Sequence, residues 1–233
     1  MPRESYQAQL DTLRDDVLYM SEVVLERLRM GLDALEQKEG DLAWAVIDGD
    51  EEINDMYLGL ERDCIDLLAL QQPVAGDLRF IAASFKIITD LERIGDLATN
   101  LGDYSLDARQ DVYPEVDIQE IGDDVAAMVE DAMDAYATEN ADDCFAIAEC
   151  DEEIDQRCTE ASEVVVRDLI ETEVGPTGEA GIGADTESEI EALMDDVSRL
   201  LLTIRDLERV GDHAVNIAAR TLYMVENDDE LIY

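Results

Sequence analysis

The chain has 233 residues, of which 60 are Asp or Glu and 16 are Lys or Arg, so its formal net charge is −44. Hydrophobic residues make up 47% and aromatic residues 5%, a balance that indicates a globular protein and favours helices over sheets. Nucleic-acid binding is excluded, because it requires a basic surface that this composition does not supply. Such a charge is typical of adaptation to a salt-rich cytoplasm, as in a halophilic archaeon, where ions screen the repulsion.

No apolar run in the sequence approaches the roughly 18 residues that a membrane span needs. The first residues also lack the apolar region of an export signal. We therefore expect a soluble cytoplasmic protein that does not insert directly into a membrane.

The cysteines show no metal-binding pattern. They include no C-x-x-C pair, and a single histidine, His213, is available to cooperate with them, which excludes a Cys/His zinc site. We expect them instead to be buried as small hydrophobic residues; they are Cys64, Cys144, Cys150 and Cys158.

Apolar residues recur at intervals near 3.6 along most of the chain, as at Leu10, Leu13, Val17 and Met20, and this period predicts helices. The first helix ends before Gly40-Asp41, where Asp41 offers an N-cap, and the second ends before Pro73. Trp44 is expected in the core at a bundle end. The pattern restarts after Tyr113-Pro114, so that six helices are predicted, at 6–37, 41–70, 76–107, 116–138, 141–172 and 185–226.

The chain contains an internal repeat. Residues 90–100, DLERIGDLATN, return as DLERVGDHAVN at 206–216, and DEEIN at 50–54 returns as DEEID at 151–155. The distance along the chain from the first copy to the second differs between these two segments, because the second half carries a Gly-rich insertion at 175–183. We predict an all-α fold, a tandem pair of homologous antiparallel three-helix bundles, with domains at 1–112 and 113–233.

The repeated segment carries two acids one turn apart, Glu92 and Asp96 in the first copy, Glu208 and Asp212 in the second. Asn100 and Asn216 follow one turn later, on a flank expected to face water. Like charges at i and i+4 destabilise a helix, so their duplication suggests a cation between the oxygens. Oxygen ligands suit Mg, Ca, Mn or Fe. The second helices are the expected source of further ligands: Asp50 and Asn54 in one half, Asp151 and Asp155 in the other.

Structural roles compete with metal binding. In a chain with 60 acids, the Glu-x-x-x-Asp spacing alone is weak, and Arg93 and Arg209 are placed to form ion pairs along their helices. Asp90 and Asp206 lie nearer the apolar edge, so we expect each to pair with an arginine or cap a buried polar group. His213 replaces Leu97, and we expect it to be packed and partly exposed rather than a ligand.

These motifs, together with Gln72-Pro-Val-Ala-Gly-Asp-Leu-Arg79, closely resemble the PhoU family of phosphate-uptake regulators over essentially the whole chain. The resemblance implies two similar three-helix bundles and metal ions, with iron, zinc or manganese as candidates. The family's E/D-x-x-x-D motifs match Glu92 and Asp96, and Glu208 and Asp212, with partner ligands at Asp50, Asp151 and Asp155. It also implies a homodimeric, non-enzymatic negative regulator acting with phosphate ABC transporter components and, in many bacteria, a sensor kinase.

The two halves depart from each other, and other functions remain open. Asn54 corresponds to Asp155, Glu61 corresponds to Ser162, and the second half lacks the Gln72–Arg79 segment, so the two sites are expected to be unequal. One alternative is an accessory regulatory domain of another ion-transport system. A di-iron oxidase is a further alternative, although it usually needs two Glu-x-x-His pairs.

Overall fold

The structure, a computed structural model, describes residues 3–70, 74–107, 116–174 and 184–232. Those residues form seven helices and contain no strand, so the predicted all-α class is confirmed. The helices are α1 Arg3–Gln37, α2 Gly40–Asp48, α3 Asp50–Leu70, α4 Ala75–Asp107, α5 Ile118–Thr138, α6 Ala141–Val174 and α7 Ala184–Glu226. Within these ranges no helix is long and apolar enough to cross a membrane.

The second predicted helix, 41–70, is divided in two at Gly49. The backbone of Gly49 keeps a right-handed conformation (φ −75°, ψ −12°), and its amide still donates a hydrogen bond to the Ala45 carbonyl at 3.2 Å. A side chain at this position would put its Cβ 2.3 Å from Nε of Arg27 on α1. The predicted N-cap at Asp41 was also wrong, because Glu39 is the N-cap and Asp41 lies inside the first turn.

Helix ends follow recognisable local chemistry. The side chain of Asp117 accepts a hydrogen bond from the Glu120 amide at 2.9 Å and caps the start of α5. The residues after α1, α5 and α7 adopt a left-handed conformation that stops each helix; they are Lys38, Glu139 and Asn227. The predicted breaks at Pro73, at Tyr113-Pro114 and in the Gly-rich segment 175–183 lie outside the described residues.

The helices pack as two groups. Helices α1 to α4 surround one part of the core, helices α5 to α7 surround the other, and α1 meets α5 while α4 meets α7. The contacts of α4 with α7 show that these two helices run in opposite directions. Arg79, near the start of α4, bonds to the Met224 carbonyl near the end of α7, while Tyr104 near the end of α4 bonds to Asp206 in the middle of α7.

Two predictions about the core were wrong. Trp44 exposes 55% of its surface, because the buried residues of short helix α2 are Ala43 and Val46, on another face. Three of the four cysteines are buried as predicted, but Cys150 is exposed on α6. All four thiols are free.

Candidate functional site: two carboxylate faces

The structure gathers each predicted set of polar residues onto one surface per half. We call Asp50 and Asn54 of α3 with Glu92 and Asp96 of α4 the first carboxylate face. We call Asp151 and Asp155 of α6 with Glu208 and Asp212 of α7 the second carboxylate face. Asp96 in the first face and Asp212 in the second are exposed, whereas the other members of each face are half-buried. The turn-by-turn spacing of these residues aligns them along neighbouring helices.

The first carboxylate face carries compensating groups. The Asn54 amide donates a hydrogen bond to Oδ2 of Asp50 at 2.7 Å. The guanidinium Nε of Arg93 lies 3.5 Å from the carboxylate of Glu92. Burial and then Asp96 raise the pKa of Glu92, and Arg93 and His213 oppose that rise.

The pKa of Asp96 shows the same balance. Burial and then Asp50 raise it, while Arg93, Arg209 and His213 act to lower it. Asp50 and Asp96 also line a cleft of about 270 Å³ with Arg93 and Arg209. The first face is therefore a mixture of acids and cations rather than a purely acidic surface.

The second carboxylate face lacks that compensation. Among the described residues, no Lys, Arg or His forms an ion pair with any of its four acids. One buried oxygen, Oδ1, of Asp151 and one of Asp155 have no hydrogen-bond partner. Burial, followed by Asp155, Asp212 and Glu208, raises the pKa of Asp151 to about 7.

The pKa values of Asp155 and Glu208 on the second carboxylate face are also raised. Burial and then Asp212 raise the pKa of Asp155. Burial, followed by Asp155 and Asp212, raises the pKa of Glu208. The charged forms of Asp151, Asp155 and Glu208 are thus destabilised by neighbouring carboxylates, and a bound cation would relieve this repulsion.

The glycine of the repeated motif has a different neighbour in each half. A Cβ added to Gly211 would lie 2.8 Å from Oδ1 of Asp151, whereas a Cβ added to Gly95 would lie 3.0 Å from Cδ1 of Ile53. Gly211 therefore makes room for a carboxylate, and Gly95 makes room for a core side chain. A side chain of the neighbouring helix thus approaches the motif glycine closely in both halves.

The donor atoms of the second carboxylate face suit a hard or borderline cation such as iron or manganese, since all of them are oxygens. The Oδ1 atoms of Asp151 and Asp155, which have no hydrogen-bond partner, are available to bind such a cation. In this conformation, however, no three or more His, Cys, Asp or Glu side chains of the described residues have the arrangement needed to hold an ion. Binding would therefore require the carboxylates to rotate inward.

Part of the repeated motif serves the contact between the bundles instead. Asp206 is fully buried and accepts hydrogen bonds from Asn100 at 3.0 Å and Tyr104 at 2.9 Å. Arg205 and Arg209 lie 3.1 and 3.7 Å from its other oxygen. The expectation that Asp206 pairs with arginine is confirmed. The expectation that Asn100 lies on a water-facing flank was wrong, because it is half-buried against α7.

The first copy of this aspartate also joins α4 to α7. Asp90 lies 2.9 Å from Nδ1 of His213, and both side chains are mostly buried. The predicted packed, partly exposed histidine is thus correct, although the partner of Asp90 is a histidine and not an arginine. The ion pairs expected along the helix are present for Arg209 with Asp206, whereas Arg93 pairs with its neighbour Glu92.

The two halves each match the same family model, for the PhoU domain, over residues 17–105 and 118–221. This chain belongs to the PhoU family. The accessory protein PhoU homolog of the phosphate-specific transport system of Pseudomonas putida is 33% identical over 232 residues, which cover 97% of this chain and 82% of that protein. PhoU homolog 1 of the same transport system in Methanothermobacter thermautotrophicus is 33% identical, covering 96% of this chain and 95% of that protein.

Solved PhoU structures share the fold. PhoU from Pseudomonas aeruginosa superposes with a TM-score of 0.83 at 29% identity, covering 96% of this chain and all of that one. The phosphate transport system regulatory protein PhoU from Streptococcus pneumoniae gives a TM-score of 0.81 at 26% identity, covering 96% of this chain and 98% of that one. The predicted family and pair of helical bundles are thereby confirmed.

Sequence reasoning missed Tyr104 as a functional neighbour of the PhoU motif. Its hydroxyl donates to Asp206, and burial together with this hydrogen bond raises the pKa of Tyr104 to about 12. The one feature of the sequence that could have pointed to Tyr104 is its position one helical turn beyond Asn100 on α4. Its partner lies 102 residues away, and only the packing of α4 on α7 shows it.

Proposed function

We propose that the protein is a non-enzymatic negative regulator of phosphate uptake that acts on components of a phosphate ABC transporter. The observation that carries the proposal is that both halves match the PhoU domain. In addition, a relative named as an accessory protein of the phosphate-specific transport system aligns over 97% of the chain. A sensor kinase is the second proposed partner, and the predicted homodimer remains a prediction.

Regulation is favoured over the di-iron oxidase alternative by the chemistry of the side chains. A carboxylate-bridged di-iron oxidase usually draws on two histidines in Glu-x-x-His pairs, and the sequence has one histidine. That residue, His213, is engaged with Asp90 between the bundles. An accessory domain of another ion-transport system is the alternative function.

A deletion strain provides the test of the phosphate role. Removing the gene should raise phosphate uptake in phosphate-replete medium, because a negative regulator would be lost. Reintroducing the gene should restore the original uptake. Unchanged phosphate uptake with altered cation uptake would favour the alternative function, and no change in either would reject both.

We further propose that cations, with iron and manganese favoured over zinc, bind at the carboxylate faces and most strongly at the second. The orphaned oxygens of Asp151 and Asp155 and the raised carboxyl pKa values at this face support the proposal. Glu208 and Asp212 would complete the ligand set. A bound cation would neutralise the mutual repulsion and so link α6 to α7.

Metal content can be measured by elemental analysis of protein purified without chelators. Glu208→Ala with Asp212→Ala should lower it more than Glu92→Ala with Asp96→Ala, and both should leave helicity nearly unchanged because these residues lie outside the core. Glu149→Ala with Glu153→Ala is the matched control, since these acids also lie one turn apart on α6 but are exposed to solvent. Metal-free folded wild-type protein, or unfolding of the variants, would contradict the proposal.

A further inference from the structure

Both helical hairpins expose apolar side chains near their tips, at positions that the repeat makes equivalent. The shift of 101 residues between α3 and α6 pairs Ile65 with Val166. The shift of 116 residues between α4 and α7 pairs Val74 with Ile190 and Leu78 with Met194. All of these residues are exposed. The exposure is therefore a property of both halves rather than an accident at one position.

Exposed apolar residues also lie elsewhere on this acidic surface, as at Tyr19 and Phe145, and single ones need no explanation. Contiguous apolar patches, by contrast, commonly mark interaction sites, because exposure of apolar surface opposes the hydrophobic effect. Val166 and Ile170 lie one turn apart on α6, so their exposed side chains are neighbours.

In the second half one of these residues, Val166, lines a groove. A cavity of about 680 Å³ follows one face of α6, from Cys158 to Ile170, and is closed on one side by Glu208 of α7. Its lining on α6 includes Thr159, Ser162, Val166 and Ile170, which recur every three or four residues. Ile170 exposes 55% of its surface. The groove therefore has a polar end and an apolar end on a single helical stripe.

The polar end of the groove meets the second carboxylate face. Asp155 lies one turn before Thr159 on the same stripe, and Glu208 belongs to both surfaces. From Asp155 to Ile170 the helix rises about 22 Å, or four turns. The lining also includes one further acid, Glu163, and one basic residue, Arg167, which lies at the apolar end.

We propose that this groove on α6 and α7 binds an amphipathic helix of a partner protein, with its apolar stripe over Val166 and Ile170 and basic side chains toward Glu208. Helix-in-groove recognition uses apolar anchors repeating every three or four residues, which is the spacing that the groove presents. A partner of about fifteen residues would match its length.

The charge of the protein decides between possible occupants. A second copy would bring another strongly negative surface to an acidic groove, and like charges across an interface are unfavourable. A helix whose Lys and Arg face the Glu208 end and whose apolar stripe faces Val166 and Ile170 complements the groove, since Arg167 lies at the apolar end, away from those basic side chains. The inference requires neither bound metal nor a role in phosphate uptake.

The test uses a fluorescent sixteen-residue helical peptide with Leu along one stripe and Lys and Arg elsewhere, added to the metal-free full-length protein. A second peptide replaces every Lys and Arg by Glu. The basic peptide should bind at least about tenfold more tightly than the acidic one, as measured by fluorescence anisotropy at constant salt. Absence of binding, or equal binding of the two peptides, would overturn the proposal.

Variants localise the binding. Val166→Asp with Ile170→Asp should weaken binding of the basic peptide at least about tenfold, because apolar anchors carry much of such an interaction. Glu163→Lys should weaken it and strengthen binding of the acidic peptide. Trp44→Asp is the matched control, since Trp44 is 55% exposed like Ile170 but lies on α2, and it should leave binding unchanged.

Two checks distinguish helix docking in the groove from unfolding of the variants and from self-association. Circular dichroism should show the same helicity in all variants; Val166→Ala with Ile170→Ala, which removes contact area without adding charge, should also weaken binding. Equal loss of binding in Trp44→Asp would reject the groove as the site. A dimer that sediments as a monomer after Val166→Asp with Ile170→Asp would identify a second copy as the occupant and overturn the proposal.

Discussion

The first and second carboxylate faces are built from the same two repeated segments but differ in electrostatics. In the first, Asn54 donates to Asp50 and Arg93 lies beside Glu92. In the second, an aspartate stands in place of Asn54, and Asp151 and Asp155 each keep a buried oxygen without a partner. One amide-to-acid difference and the placement of nearby cations therefore turn similar backbones into unlike surfaces. The comparison predicts that cation binding is concentrated in the second half.

The sharpest way to test this difference is to add a methyl group at the repeated glycine in each half. Gly95→Ala should destabilise the protein by about 1 to 2 kcal/mol, because the new Cβ meets the buried, β-branched Ile53 at 3.0 Å. Gly211→Ala should be neutral or stabilise by up to about 1 kcal/mol, since alanine favours the helix and the Asp151 carboxylate can rotate away. Chemical denaturation measures both.

The same pair of variants separates stability from cation binding. Gly211→Ala should weaken metal binding because it moves the Asp151 carboxylate, whereas Gly95→Ala should leave metal binding at the second face intact while the protein is folded. Equal destabilisation by the two substitutions would show that the two glycines have the same role, against the contacts described above.

Exchanging the amide and the acid is the next test. Asn54→Asp should cost about 1 kcal/mol of folding stability without metal, because it replaces the donor to Asp50 by a second acid. It should also raise the cation affinity of the first carboxylate face, as titration calorimetry would show. The reverse change, Asp155→Asn, should lower the affinity of the second face, and failure of both shifts would mean that this position does not set the difference.

The smallest expected effect is on pH dependence. Because the pKa of Asp151 is about 7 in the folded protein and its ordinary value is 3.8, the folded state binds the extra proton between these values. Metal-free stability should therefore fall as the pH rises from about 4 to about 7. Asp151→Asn should flatten this part of the profile and stabilise the protein at pH 8 by less than about 1 kcal/mol, since the group is half exposed and screened.

Salt provides the control for the pH effect. Raising the ionic strength screens repulsion among carboxylates, so the difference between wild type and Asp151→Asn should shrink at high salt. A difference that is independent of both salt and pH would assign the effect to packing. The predicted adaptation to a salt-rich cytoplasm stays a prediction.

The fold was largely predictable because apolar periodicity and helix-ending residues act locally. The expected helix ends at 37, 107, 138 and 226 agree with those of α1, α4, α5 and α7. The division at Gly49 was not predicted, since Gly49 keeps a right-handed conformation and no proline marks the break. The prediction that Trp44 lies in the core was wrong because apolar character alone does not say which face of α2 meets the core.

The composition of each carboxylate face was predictable from spacing, but the electrostatic difference was only partly so. The difference between Asn54 in the first copy and Asp155 in the second is visible in the sequence. The contributions of Arg209 and His213 to the first face come from α7, in the other half of the chain. Likewise, no local pattern shows that Asp206 is buried against α4, because that burial arises from packing between bundles.

The hydrogen bonds of Asp206 to Asn100 and Tyr104, and the contact of Asp90 with His213, have a consequence for cutting the chain in two. Each half supplies a polar group whose partner lies in the other half. A single bundle produced alone would expose apolar surface between the bundles and leave these polar groups without their partners. The two halves are therefore expected to be less stable apart than together.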